Sequence, residues 1–187
     1  MIQNPPKIVP VKILPTRNRG AAPDEAEANM KIVYHCYGGA HASPTAAAIH
    51  LGLFPSNRWP RYSDFKKIEH FDRMTWNDHG RLVKAGVDAS GNEVYILGRR
   101  NSPKLIIGLI REFIRLTGGD PDEYYFVNCV QRLNLFMVTG GFSSRSLGLV
   151  HFGRPIVTFG TLLSYPILAA IVRRTMEEIR KPCIGVS

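Results

Sequence analysis

The residue types able to do chemistry crowd into one stretch, Tyr34-His35-Cys36-Tyr37-Gly38-Gly39-Ala40-His41-Ala42-Ser43-Pro44-Thr45-Ala46. Ser43-Pro44 reads as a helix start, with serine as N-cap and proline at the first helical position. The glycines then form the turn that opens the helix. Backbone N–H groups at such a turn converge on one point, and the helix dipole adds partial positive charge there, which suits a phosphate or a carboxylate. Gly38 and Gly39 allow close approach, His41 stands inside the turn as a donor, and the Ser43 and Thr45 hydroxyls can donate to ligand oxygens. These five are the expected ligand-binding residues. The plainer alternative is a glycine turn that only packs the helix against a sheet.

Other groups are weaker candidates. Thr139-Gly140-Gly141-Phe142-Ser143-Ser144-Arg145-Ser146 is a second glycine-serine turn ahead of a short helix. Ser143, Ser144 and Arg145 join the expected ligand set if Arg145 faces the first turn, since arginine can act from a distant loop; otherwise it is a solvated surface turn. Phe71-Asp72-Arg73 and Asn77-Asp78-His79-Gly80 put two carboxylates and a histidine in one region, as acid–base groups or as turn caps. Cys36, His41, Asp78 and His79 are the catalytic candidates. His35 and His50 are expected against the core or its edge, and no metal-ligand spacing is present. Cys36 and Cys129 both end expected strands, either close in space or simply as small buried residues. Arg58-Trp59-Pro60-Arg61-Tyr62, with Lys66 and Lys67, interleaves bases and aromatics as single-stranded nucleic acid would require, or forms a solvated loop.

These groups need elements to position them, and the patterns alternate. Ile32–Cys36 is a short apolar, β-prone run, followed by a helix over Thr45–Leu51 that Gly52 ends. Residues 55–62 read as loop and 63–76 as one short helix. Arg81–Asp88 and Asn92–Leu97 flank Ala89-Ser90-Gly91 as a hairpin. Ser102-Pro103 opens a helix with Ile106, Leu109, Ile110, Phe113 and Leu116 on one face, ended by Gly118-Gly119. Tyr124–Cys129 is the next strand. A short helix over Ser143–Leu149, a last strand over Pro155–Phe159 and a final helix to about Lys181 complete the pattern. Strands alternating with helices give an α/β fold: a single three-layer wound domain over 30–187, with a mostly parallel sheet and a β-hairpin insertion or edge.

Composition narrows the partners. The 187 residues carry 24 Lys and Arg against 15 Asp and Glu, a formal charge of +9, which favours anionic partners or simply solubility. Three cysteines with no CxxC pair argue for a reducing compartment, and no apolar run is long enough to span a bilayer, so a cytoplasmic protein without membrane contact is expected. Residues 1–29, rich in proline and then polar, read as a disordered tail.

Three resemblances follow. Gly38 and Thr45 match the first and last positions of the nucleoside-triphosphate P-loop, but Ser43 and Pro44 replace its second glycine and its lysine. Cys36, Gly38, Ser43 and Pro44 match the low-molecular-weight tyrosine phosphatase loop, with Ala42 where that family has arginine. Met30 to Ser43, Ala46 to Gly52, Asp78-His79-Gly80, Gly91 to Tyr95 and Gly140 to Gly148 resemble an uncharacterised bacterial family known only as a domain of unknown function, DUF3189. That resemblance covers most of residues 30–180 and implies no reaction or cofactor.

The leading expectation is a site for a phosphate-bearing or nucleotide-like small molecule, with catalysis left open. The alternative is a noncatalytic regulatory, nucleic-acid-binding or protein-binding module using the basic surface; a phosphatase using Cys36 is third. Because Met30 opens the first strand, it is also a candidate start of translation. Intact-mass measurement of the natively expressed protein should then find a species beginning at residue 30, and a full-length tail would refute it.

Overall fold

The computed structural model describes residues 29–54, 58–130 and 150–180. Four strands form one mixed, open sheet: β1 (Lys31–Cys36), β2 (Val83–Val87), β3 (Glu93–Gly98) and β4 (Tyr124–Asn128), in the order β2-β3-β1-β4. β1 is central and parallel to both β3 and β4, while β2 pairs antiparallel with β3 at the edge. The expected hairpin is therefore the sheet's edge, with an irregular register between Lys84 and Gly86.

Alternation along β1 sorts its side chains. Ile32, Tyr34 and Cys36 join Val94, Ile96, Val127 and Cys129 in the main core. That face is covered by α1 (Ala42–His50), through Ala42, Ala46 and Ala47, and by α4 (Val150–Ile179), through Leu168 and Val172. A smaller cluster of Ala48, Phe65, Ile68 and Phe71 fastens α2 (Tyr62–Phe65) and the segment after it to α1. Asp64 organises that corner. It takes two bonds from the Arg58 guanidinium, at 2.7 and 3.1 Å, and one from the Arg61 amide at 2.7 Å. The Arg58 guanidinium, then the amide, hold its carboxyl down at about 2.

Two expectations are corrected. Residues 155–159 are not a strand; they lie inside the thirty-residue α4. From Thr158 onward, Thr158, Thr161, Leu168, Val172 and Thr175 are buried at helical spacing, and that packing outweighs both the β-prone run and the prolines at 155 and 166. The helix after β1 begins earlier than expected, at Ala42 with His41 as N-cap. Ser43 does not cap it, because its hydroxyl turns to the Cys36 sulphur, and Pro44 falls in the first turn, where a missing N–H costs nothing.

The remaining elements follow the pattern more closely. Gly52, at φ +67°, follows the end of α1. α3 (Pro103–Leu116) forms after Ser102, yet Leu105, Leu109, Phe113 and Leu116 are exposed and Ile114 is its buried residue. Residues 63–76 hold only the last three residues of α2, and a 3-10 turn covers Trp76–Asp78. The tail over 1–28 and the expected helix at 143–149 lie outside the described residues.

One polar network crosses the core. The Tyr34 hydroxyl and His50 Nδ1 are 2.8 Å apart, and His50 Nε2 donates to Asp88 Oδ2 at 3.0 Å, tying the far end of α1 to the hairpin turn. Burial pushes the Asp88 carboxyl up, but bonds from Asn92, His50 and the Ser90 and Asn92 amides outweigh it and hold it below the ordinary 3.8. Its stabilisation is therefore complete above pH 3.8 and lost as pH falls through the lower folded-state value. Asp88→Ala should cost about 2 kcal/mol in urea unfolding at neutral pH, and the gap to wild type should narrow in acid. An unchanged urea midpoint would refute the network.

Candidate functional site

β1 runs into the glycine loop at the carboxyl edge of the sheet, next to the end of β3. The two segments meet backbone to backbone. A Cβ on Gly39, which has φ +71°, would lie 2.9 Å from the Gly98 nitrogen; one on Gly98 would lie 2.8 Å from the Gly38 carbonyl oxygen. Only glycine fits this contact. It is stitched by hydrogen bonds: the Arg99 amide donates to the Cys36 and Tyr37 carbonyls at 3.1 Å each, and the Arg100 amide donates to Tyr37 at 2.8 Å.

Inside the loop sits a sulphur. Cys36 Sγ accepts the Gly39 N–H at 3.1 Å and lies 3.1 Å from Ser43 Oγ. One expected anion-binding amide is thus already engaged, while among the described residues no hydrogen-bond partner stands at the amides of Gly38, Ala40, His41, Ala42 or Ser43. Ser43 and Thr45 are fully buried, and the Thr45 hydroxyl donates to the His41 carbonyl at 2.8 Å.

His41 is held by a residue 31 positions away. Its Nε2 donates to Asp72 Oδ1 at 3.1 Å, and its ring meets Phe71 edge-on at 5.5 Å. The Asp72 amide donates to the Ala40 carbonyl at 2.8 Å, so both ends of this residue grip the loop. Asp72 has φ +55° and Arg100 has φ +49°, the two non-glycine residues with positive φ among those described. Such a conformation costs of order 1–3 kcal/mol and concentrates at functional sites. Both flank the loop.

Asp78 and His79 are adjacent in sequence but bind different groups. Asp78 Oδ2 accepts the Thr75 amide and hydroxyl at 2.8 and 2.6 Å, capping the 3-10 turn, and these bonds hold its carboxyl below the ordinary value. His79 Nδ1 donates to the Trp76 carbonyl at 2.9 Å. Its ring still reaches the site, since its Cδ2 would lie 3.0 Å from a Cβ at Gly98. The Arg100 guanidinium stacks 3.9 Å above the Trp76 ring. Gly140, Ser143, Ser144 and Arg145 lie outside the described residues. In the basic-aromatic loop, Arg58 is paired with Asp64 and Trp59 leans towards Tyr165, with ring centres 5.9 Å apart.

Sequence reasoning missed Arg99. The residue is 8% exposed, and its side chain reaches His35 on the sheet face opposite Cys36. Nε donates to His35 Nδ1 at 3.3 Å, Nη2 to Asn128 Oδ1 at 3.4 Å, and Nη1 to the Arg100 carbonyl. All three acceptors are neutral, and among the described residues no carboxylate forms an ion pair with it. A buried cation is costly unless an anion compensates it. A signal existed: Gly98-Arg99-Arg100 precedes Ser102-Pro103 much as Gly38-Gly39 precedes Ser43-Pro44. Asp72 was visible as a carboxylate, but its pairing with His41 is long-range.

Among the described residues, no group of three or more His, Cys, Asp or Glu is arranged to hold a metal ion, and no helix is long and apolar enough to cross a membrane. The pattern of a family described as a protein of unknown function (DUF3189) matches residues 31–177. No curated protein and no solved structure matches the chain.

Burial first, and the Arg99 charge second, push His35 down from 6.5 to about 4. The folded state thus keeps His35 neutral where the unfolded chain takes up a proton, so stability should fall as pH drops from 6.5 to about 4. NMR titration should find His35 neutral at pH 6, with its midpoint raised only part of the way in Arg99→Met because burial remains. A midpoint of 6.5 in wild type would contradict this environment.

Proposed function

The chain belongs to the DUF3189 family, which carries no assigned reaction, and we propose that it binds a phosphate-bearing or nucleotide-like small molecule over the carboxyl ends of β1 and β3. The observation that carries this reading is Arg99, a buried guanidinium that, among the described residues, is bonded only to neutral acceptors, beside a loop rich in amides without a described partner. An anion at that edge would compensate the charge and accept from the loop at the start of α1.

Topology supports the same place. β1 leads by way of α1 to β3 on one side, and β3 leads through α3 to β4 on the other. Right-handed crossovers in opposite directions would put α1 and α3 on opposite faces, a three-layer wound arrangement in which the strand order reverses at β1 and a crevice opens at its carboxyl end, on the β4 side. Ligands of open α/β sheets bind in that crevice. His41, braced by Asp72, and the half-buried His79 stand at its margins as donors or proton carriers. The guanidinium lies on the face away from α1, so the anion would sit above the strand ends rather than against the buried Ser43 hydroxyl. Free Cys36 and Cys129 thiols suit a reducing, cytoplasmic setting.

A thermal-shift panel of orthophosphate and nucleoside mono-, di- and triphosphates tests this. At a hundredfold excess over Kd, a ligand should stabilise by about 2.7 kcal/mol, raising Tm by about 5–10 °C. The rise should shrink in Ser43→Ala, where the loop is loosened, and vanish in Arg99→Met. No shift with any compound in wild type, or an equal shift in Arg99→Met, would defeat the reading.

A further inference from the structure

The two described cysteines stand at the ends of adjacent parallel strands, and their placement follows from the register. His35 pairs with Asn128 as the last matched pair of β1 and β4, and the Cys129 amide donates to the His35 carbonyl at 2.9 Å. One step further along both strands puts Cys36 beside Cys129. Residues that neighbour one another across a pair of strands have backbones about 4.8 Å apart and side chains on one face. That face is the α1 side, where both sulphurs belong to the same core cluster, at 5% and 6% exposure. A Cα separation of about 4.8 Å lies inside the window of roughly 4.4–6.8 Å that disulfides occupy.

We propose that Cys36 and Cys129 are a redox pair, joined by a reversible disulfide that closes directly beneath the glycine loop. The bond itself does not depend on the anion-binding reading; only its consequence for ligand does. The two sulphurs differ in surroundings. Cys129 lies against the Val127 carbonyl, and burial first, then the nearby Cys36, push its thiol far above the usual range. Cys36 has the Gly39 N–H donating to it and the Ser43 hydroxyl beside it, at the start of a helix, so it is the sulphur equipped to react first.

With a peroxide as oxidant, the Cys36 sulphur attacks one oxygen and the O–O bond breaks. The departing hydroxide takes the thiol proton and leaves as water, and Cys36 becomes a sulfenic acid. The Cys129 sulphur then attacks that of Cys36, the S–O bond breaks, and the second hydroxide leaves as water with the Cys129 proton. The two thiols have lost two electrons and the peroxide has gained them. The new bond draws the Cys36 sulphur towards β4, away from Gly39 and Ser43. The loop loses its internal acceptor, and its amides change direction.

The full chain, which carries three cysteines, should be treated with hydrogen peroxide and mapped by non-reducing peptide mass spectrometry. The expected result is loss of two thiols, a mass decrease of about 2 Da, and a link between the Cys36 and Cys129 peptides that dithiothreitol reverses. Cys183→Ser should leave the link intact, and Cys36→Ser or Cys129→Ser should abolish it. Because the mapping is done on wild-type protein, poor folding of a variant does not blunt the result. Retention of all three thiols, oxidation of Cys36 alone to higher acids, or a link through Cys183 would overturn the pair. If the disulfide forms and the orthophosphate-induced Tm shift of the reduced protein survives oxidation, control of the loop is refuted. If the reduced protein shows no shift with any phosphate compound, the anion-binding reading fails while the redox pair stands.

Discussion

Gly39 and Gly98 press two backbones together at a distance no side chain would permit, and the arrangement of the carboxyl edge depends on that contact. Because β1 and β3 run parallel in register, their ends arrive at the same level. The glycines then let one loop lie on the other, and the amides of Arg99 and Arg100 fasten it to the Cys36 and Tyr37 carbonyls. Everything nearby inherits its position from this junction: the sulphur under the loop, the His41–Asp72 pair at its rim, and the Arg99 guanidinium on the opposite face.

The junction is also where local preferences are overridden. Asp72 and Arg100 adopt left-handed backbone conformations that cost free energy, and each is held by a main-chain bond to the loop. Arg99 keeps a charge away from water without a described carboxylate to balance it. Natural chains tolerate such departures mainly where function requires them, and here three gather around one glycine contact, Arg99 and Arg100 directly after Gly98 and Asp72 through its bonds to Ala40 and His41.

Much of the fold was legible because it rests on local signals. The apolar run at Ile32–Cys36, the hairpin turn before Asn92 and the serine-proline start of α3 each announce an element through short-range chemistry. The failures came where distant contacts decide. Residues 155–159 read as a strand by composition but lie inside a long helix whose packing is set further along, from Thr158 to Thr175. Ser43 has the type of an N-cap, yet the Cys36 sulphur seven residues earlier claims its hydroxyl. For the site, the glycine loop was evident from spacing alone. Asp72 was grouped with Asp78 and His79 rather than with His41, and Arg99 was overlooked, because both act across strands or loops that only the folded register brings together.

The Tyr34–His50–Asp88 chain has a mechanical consequence for α1. It pins the helix at its last residue, while the glycine loop joins the first. A helix of nine residues is about 13 Å long. With the far end anchored, any tilt of α1 would pivot on buried imidazole. A tilt of about 5° would sweep the loop end by roughly 1 Å, enough to make or break a hydrogen bond there while the hairpin stays still.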